Sequence, residues 1–171
     1  MKSQPKSQSL IMVFGLPGTG KTTFARLLSH RLKVRHLNTD IIRSMLGKRG
    51  SYDEETKEHI YAELIRQAES RLKTNESVVI DGTFYKASLR SNFNDLAGKY
   101  DYNIKWIEIC ADEEVVKKRV SKKREFSEAD YGVYQVIKAS FEPMEEEFIQ
   151  LYSDQEELEE MMTNALKYIK S

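Results

Sequence analysis

Eight consecutive residues, Gly15-Leu16-Pro17-Gly18-Thr19-Gly20-Lys21-Thr22, carry the strongest chemical signal in the chain. They satisfy the phosphate-loop pattern in full, with an apolar run before them and a helical pattern after them. Glycines at Gly15, Gly18 and Gly20 let the backbone turn its N–H groups inward. Those groups, with Pro17, Thr19 and Thr23 completing the cradle, bind phosphate oxygens at the start of the following helix. Lys21 reaches the β- and γ-phosphates as a point charge, and the Thr22 hydroxyl is offered to Mg²⁺. A glycine-rich strand-to-helix turn without a ligand is the other reading. The lysine opposes it, because it would crowd the positive end of a helix with no anion to balance it.

Three further groups decide what is done with the phosphates. In "NTDIIRSML", Asp40 and Arg43 stand three apart at a helix start and so share a face. A carboxylate there accepts the proton of a substrate hydroxyl, and an arginine one turn later holds a substrate anion. The same pair reads equally well as a helix-terminal carboxylate and a solvated arginine. Asp81 closes the apolar run "SVVIDGT" beside the cradle. A carboxylate ending a central strand faces the site and holds Mg²⁺ through water, although Asp-Gly also forms turns. Six of the eight residues from Lys117 to Arg124 are basic. A basic lid there would fold over the triphosphate, with Arg119 and Arg124 as candidates to offset transition-state charge. Lysines and arginines at a helix end also simply suit its dipole.

Other users of the cradle are disfavoured. A guanine-reading Asn-Lys-x-Asp is missing, and "VVIDGT" has one acid where motors usually have two. These features favour a kinase over a GTPase or a motor.

The elements that must position these residues alternate. The run 10–14 reads as a strand buried on both faces of a parallel sheet. Phe24, Leu27, Leu28, Arg31 and Leu32 carry helical spacing, "VRHL" a short strand ending at Asn38, and "TDIIRSML" a helix capped by Asn38 or Thr39. A long helix follows from Asp53 to about Lys73, then the strand ending in Asp81, a helix over "ASLRSNFNDLAGKY" and the strand "NIKWIEICA". Helices are predicted from about Asp112 to Lys122, before Pro143, and over "DQEELEEMMTNALKYIKS", with "EEFIQLYS" as the last strand. Alternation of this kind means an α/β fold, a parallel sheet with helices on both faces.

The chain has 171 residues, with 27 Lys plus Arg against 27 Asp plus Glu. That length suits one domain, expected over residues 9–171 behind a disordered tail at 1–8. The charge balance gives no global pull on nucleic acid or a membrane. The single cysteine, Cys110, has no internal partner, which fits a reducing cytoplasm, and reads as a small buried hydrophobe. No run reaches the ~20 apolar residues of a membrane span. Expected partners are therefore the nucleotide and an acceptor, with no membrane and no obligate protein partner.

The cradle, "LNTDIIRSMLG", "VVIDGTFYKASLR" and the "KKR…KKR" run, in this order, resemble the small P-loop kinases. Among these, the chain is most similar to stand-alone kinases of the polynucleotide 5′-kinase, zeta-toxin and chloramphenicol-phosphotransferase group, over about residues 10–152. The resemblance implies the three-layer α/β/α P-loop NTPase fold, with a mostly parallel five-stranded sheet and a small lid near 119–132. It implies ATP as donor and Mg²⁺ as its metal. It casts Asp40 as general base and Arg43 as a contact to an acceptor phosphate. Asp81 and Thr83 match the Asp-x-Thr ending of the third strand, and Arg90 a downstream helix arginine. Arg119 and Arg124 match lid arginines, spaced by five where four is more usual, which leaves Lys123 open for the second role. The expected activity is transfer of the γ-phosphate to a small-molecule hydroxyl, with "SYDEETKEHIYAELI" able to wall its pocket. The 5′-hydroxyl of RNA or DNA is the alternative acceptor, and a nucleotide-binding switch or plain ATPase the alternative class.

Overall fold

The apolar run before the glycines forms β1 (Ser9–Phe14). Successive side chains of a strand alternate between faces. Leu10, Met12 and Phe14 therefore enter one core layer and Ile11 and Val13 the other. The computed structural model describes residues 8–122 and 130–171. Along them follow α1 (Lys21–Leu32), β2 (Arg35–Asn38), α2 (Thr39–Met45), α3 (Glu54–Leu72), β3 (Val78–Gly82) and α4 (Ala87–Lys99). The chain then continues through β4 (Asn103–Cys110), α5 (Glu113–Val120), α6 (Tyr131–Ser140), β5 (Phe148–Tyr152) and α7 (Leu158–Lys170).

The five strands lie in the order β2-β3-β1-β4-β5, and every pairing is parallel. A parallel sheet needs cover on both faces, and the helices supply it. Ile60 and Leu64 of α3 and Phe93 of α4 pack with Met12, Ile80 and Trp106 on one face. Phe24 and Leu28 of α1 and Met161, Met162 and Ala165 of α7 pack with Ile11, Val13 and Ile107 on the other. Arg31, at the margin of the α1 stripe, reaches Glu159 of α7 at 2.7 Å. Among the described residues no helix is long and apolar enough to cross a membrane.

Short polar residues start the helices around the site. Asn38, rather than Thr39, caps α2 by accepting from Ile41 N–H at 2.9 Å. Asp53 caps α3 through Thr56 N–H, and Asp112 caps α5 through Glu114 N–H, each at 2.9 Å. Such caps contribute about 1 kcal/mol each. The register places Asn38 beside Asp81, Asp81 beside Val13 and Phe14 beside Glu108. The carboxyl ends of β2, β3, β1 and β4 thus share one edge, where open α/β sheets hold their ligands.

Candidate active site

The phosphate loop is shaped by contacts as well as by its sequence. Gly15 has φ +150°, and a Cβ there would lie 2.5 Å from the Ile109 carbonyl oxygen of β4. Gly18 has φ +80°, and its Cβ would lie 2.6 Å from Val120 of α5. Both the backbone turn and the close approach of α5 require glycine. Gly20 is the N-cap of α1, with no side-chain cap and no acidic residue in the first turn. The N–H groups of that turn are thus presented to an anion rather than to a capping oxygen. Thr19 Oγ1 donates to Leu16 O at 3.0 Å, and Lys21 Nζ donates to the same carbonyl at 3.4 Å.

Asp81 is fully buried at the end of β3. Its Oδ1 accepts from Thr22 Oγ1 at 2.9 Å and from Asn38 Nδ2 at 2.7 Å, and its Oδ2 pairs with His36 Nε2. The hydroxyl expected to meet Mg²⁺ and the carboxylate expected to hold it are therefore adjacent. Among the described residues no group of three or more His, Cys, Asp or Glu is arranged to hold a metal ion alone. A hydroxyl, one carboxylate and incoming phosphate oxygens are the donor set that suits hexacoordinate Mg²⁺. Asn38 and His36 fix the Asp81 carboxylate, one on each oxygen.

A second cleft opens on the other side of the loop. Pro17 and Lys21 line it with Asp40 and Arg43 of α2, Thr83 after β3, and Ile137 of α6. Tyr52, Lys57 and Tyr61, all within the stretch expected to wall an acceptor pocket, complete it with Tyr85. Asp40 and Arg43 form an ion pair, and Arg43 Nε also donates to Ser51 O at 3.0 Å. The Arg43 guanidinium stacks 4.4 Å over the Tyr52 ring. Burial pushes the Tyr61 phenol above its ordinary range, so it stays neutral and bonds Phe84 N–H as an acceptor at 3.3 Å.

Arg119 ends α5 over the first side of the loop. Its Nη1 donates to Gly18 O at 3.3 Å and to Ser153 Oγ at 3.0 Å. Ser153, just after β5, in turn donates to Thr19 O. Gly18, Arg119 and Ser153, together with Thr23, Leu158 and Met161, bound a cavity of about 570 Å³, roomy enough for a nucleotide base beside the phosphates. Arg124 and Lys123 lie outside the described residues, as does half of the expected lid, residues 123–129.

Two expected residues have other surroundings. Arg90 is fully buried and its guanidinium donates to Phe84 O at 2.8 Å, Pro143 O at 2.8 Å, Glu142 O at 3.2 Å and Glu146 at 3.3 Å. It braces the turn before β5 against the end of β3 and does not line the acceptor cleft. Cys110 is half-buried rather than buried. Its thiol is pushed up to about 12, chiefly by burial and then by Glu108, so it has no thiolate to act as a nucleophile. Sequence reading missed His36, Tyr85 and Ser153, whose partners all lie far away in the chain.

A protein-family model described as an AAA domain matches residues 10–144. An unliganded sugar kinase from Janibacter sp. HTCC2649 superposes with a TM-score of 0.75 at 21% identity, covering 95% of each chain. A gluconokinase from Sinorhizobium meliloti 1021 gives 0.72 at 16%, over 96% of this chain and 93% of that one. The Mycobacterium tuberculosis APS kinase, in complex with AMPPNP and APS, gives 0.73 at 14%, over 98% and 100%. At these identities the likeness is one of fold: a three-layer P-loop NTPase fold shared with small kinases.

Proposed function

The chain belongs to the AAA domain family, and we propose that it is an ATP-dependent, Mg²⁺-dependent kinase acting on a hydroxyl of a small molecule. One observation carries this: the phosphate loop is a common wall between two clefts. Gly18, Gly20 and Thr23 face the larger cavity under Arg119, while Pro17 and Lys21 face the cleft that holds Asp40. A switch or plain ATPase needs the first cleft only. The sugar kinase, gluconokinase and APS kinase of the same fold agree with a small acceptor. So does the acceptor cleft itself, a compact pocket walled by Tyr52, Tyr61 and Tyr85; a strand of nucleic acid would need an open groove.

In the transfer, the acceptor oxygen attacks the γ-phosphorus and the bond to the β–γ bridging oxygen breaks. The electron pair of that bond leaves with ADP. The hydroxyl proton passes to Asp40, which the Arg43 guanidinium pairs with and orients. Lys21 and Arg119 offset charge on the phosphoryl oxygens. Thr22, and Asp81 through water, would hold Mg²⁺, whose chemistry when bound is neutralisation of the β- and γ-phosphates.

The test is ADP release from ATP with and without a panel of small alcohols. Slow turnover alone and a sharp rise with one acceptor is expected, abolished in Lys21→Met. Steady hydrolysis indifferent to every acceptor would overturn the reading in favour of a plain ATPase.

A further inference from the structure

The acceptor cleft holds a cation whose presence proton transfer does not explain. Lys57, on α3, has a side chain only 14% exposed and faces the cleft among aromatic rings. Its Nζ donates to Tyr85 OH at 3.2 Å and sits 5.1 Å from that ring's centre. Its carboxylate partner, Glu54, lies at 3.2 Å with a side chain 64% exposed, on the outer rim. That partner is also shared: Lys86 binds the other oxygen of Glu54 at 2.9 Å. The bond from Lys86, then that from Lys57, holds the Glu54 carboxyl below its ordinary range, so it is ionised. One carboxylate thus serves two ammonium groups, and the inner of the two is nearly out of water.

Holding an ammonium in a mostly apolar wall is costly without close counter-charge. An ammonium has three N–H donors, and the two contacts just named employ two of them. Across the same cleft Arg43 is also nearly buried, stacked on Tyr52. Three cations, Lys21, Arg43 and Lys57, line this small cleft against one carboxylate, Asp40, which Arg43 already pairs. That excess of positive charge, with tyrosine rings between, matches a ligand that brings its own negative charge and a flat or apolar body.

We propose that the acceptor is an anionic alcohol, carrying a carboxylate or phosphate that Lys57 and Arg43 hold. Its carbon skeleton lies against Tyr52, Tyr61 and Tyr85, and its hydroxyl points to Asp40. This rests on the kinase reading for its hydroxyl, though the anion site stands on the cleft alone. Lys57 then sets specificity by charge, whereas Asp40 sets reactivity. The ordering of charges also separates donor from acceptor: Lys21 and Arg119 belong to the triphosphate, Lys57 and Arg43 to the acceptor.

The experiment pairs each anionic alcohol with its neutral parent: ribose 5-phosphate with ribose, gluconate with glucose, adenosine 3′-phosphate with adenosine. With ATP and Mg²⁺, the anionic member of the best pair should exceed its neutral partner at least tenfold in kcat/KM. Lys57→Met should collapse that ratio mainly through KM, and Lys57→Arg should restore part of it. A neutral alcohol turned over as well as its anionic partner would overturn the proposal, as would a ratio unchanged in Lys57→Met. Binding is read separately by titrating ribose 5-phosphate, gluconate and adenosine 3′-phosphate into the AMPPNP-saturated protein. The observable is the ring resonances of Tyr52 and Tyr85. Shifts that vanish in Lys57→Met, without phosphorylated product, would sink the kinase reading and keep the anion site. No shift with any of the three anions would sink the anion site whatever the activity.

Discussion

Thr22 Oγ1 donates to Asp81 Oδ1 at 2.9 Å, although the two residues are 59 positions apart. The first turn of α1 and the end of β3 meet there because β1 and β3 are neighbours in the sheet. Strand order therefore brings together the hydroxyl and the carboxylate proposed to hold Mg²⁺.

Asp81→Asn should keep the shape of that contact and lose its charge. Altering a carboxylate that supports a bound metal typically costs 10–100-fold in affinity or activity. The expected outcome is a weakening of that order in apparent Mg²⁺ affinity, with ATP turnover falling alongside. A titration of Mn²⁺ by electron paramagnetic resonance, with AMPPNP present, checks the metal term apart from turnover. An unchanged metal affinity would return Asp81 to a turn-forming role.

Arg90→Met tests a structural brace against an acceptor contact. The substitution strands the carbonyls of Phe84, Glu142 and Pro143 and leaves Glu146 without its buried partner. Breaking one side of a buried charged network costs about 3–5 kcal/mol. Urea denaturation should show a loss of that order. A rise in acceptor KM with stability intact would instead favour the substrate-binding role that the family resemblance implied.

Legibility followed locality. The sheet was readable because β1 and β3 are built on the apolar runs 10–14 and 78–80, and the α2 cap because Asn38 and Ile41 are three residues apart. Asp40 and Arg43 share a helix face, so their pairing was implicit in their spacing. His36 and Ser153 were not readable. His36 meets Asp81 across 45 residues and Ser153 meets Thr19 across 134, so each contact depends on strand register and order. Arg90 entered through the family resemblance alone, and its burial depends on the distant turn at 142–146, which encloses it.

Acid should loosen the α3–α4 contact through Glu69. This carboxyl accepts from Lys99 Nζ and Tyr100 OH at 2.7 Å each, and those bonds lower it to about 2 from an ordinary 4.5. A depressed folded value means the stabilisation is present above pH 4.5 and fades as pH falls toward 2. Glu69→Gln should unfold at lower urea than the parent at pH 6. The gap between their midpoints should narrow steadily below pH 4.5. A gap independent of pH would assign the effect to packing.

Arg119 and Ser153 should act as a coupled pair. The guanidinium reaches the loop only by bridging Gly18 O and Ser153 Oγ, and Ser153 is itself fixed to Thr19 O. If Arg119 offsets charge that develops on the phosphoryl group, Arg119→Met should lower kcat by about 10²–10³. Its effect on ATP binding should be much smaller, since the loop amides and Lys21 remain. Ser153→Ala removes the anchor and leaves the cation, so a loss of only several-fold is expected. With the cation gone, Ser153 keeps only its bonds to the Thr19 and Cys110 carbonyls, neither of which carries charge to the phosphates. The double variant should then be no worse than Arg119→Met alone, giving a coupling energy that independent residues would not show. Single-turnover transfer rates for the four proteins, with ATP affinity measured in parallel, close the cycle. Additive losses would mean that Arg119 works from α5 without Ser153.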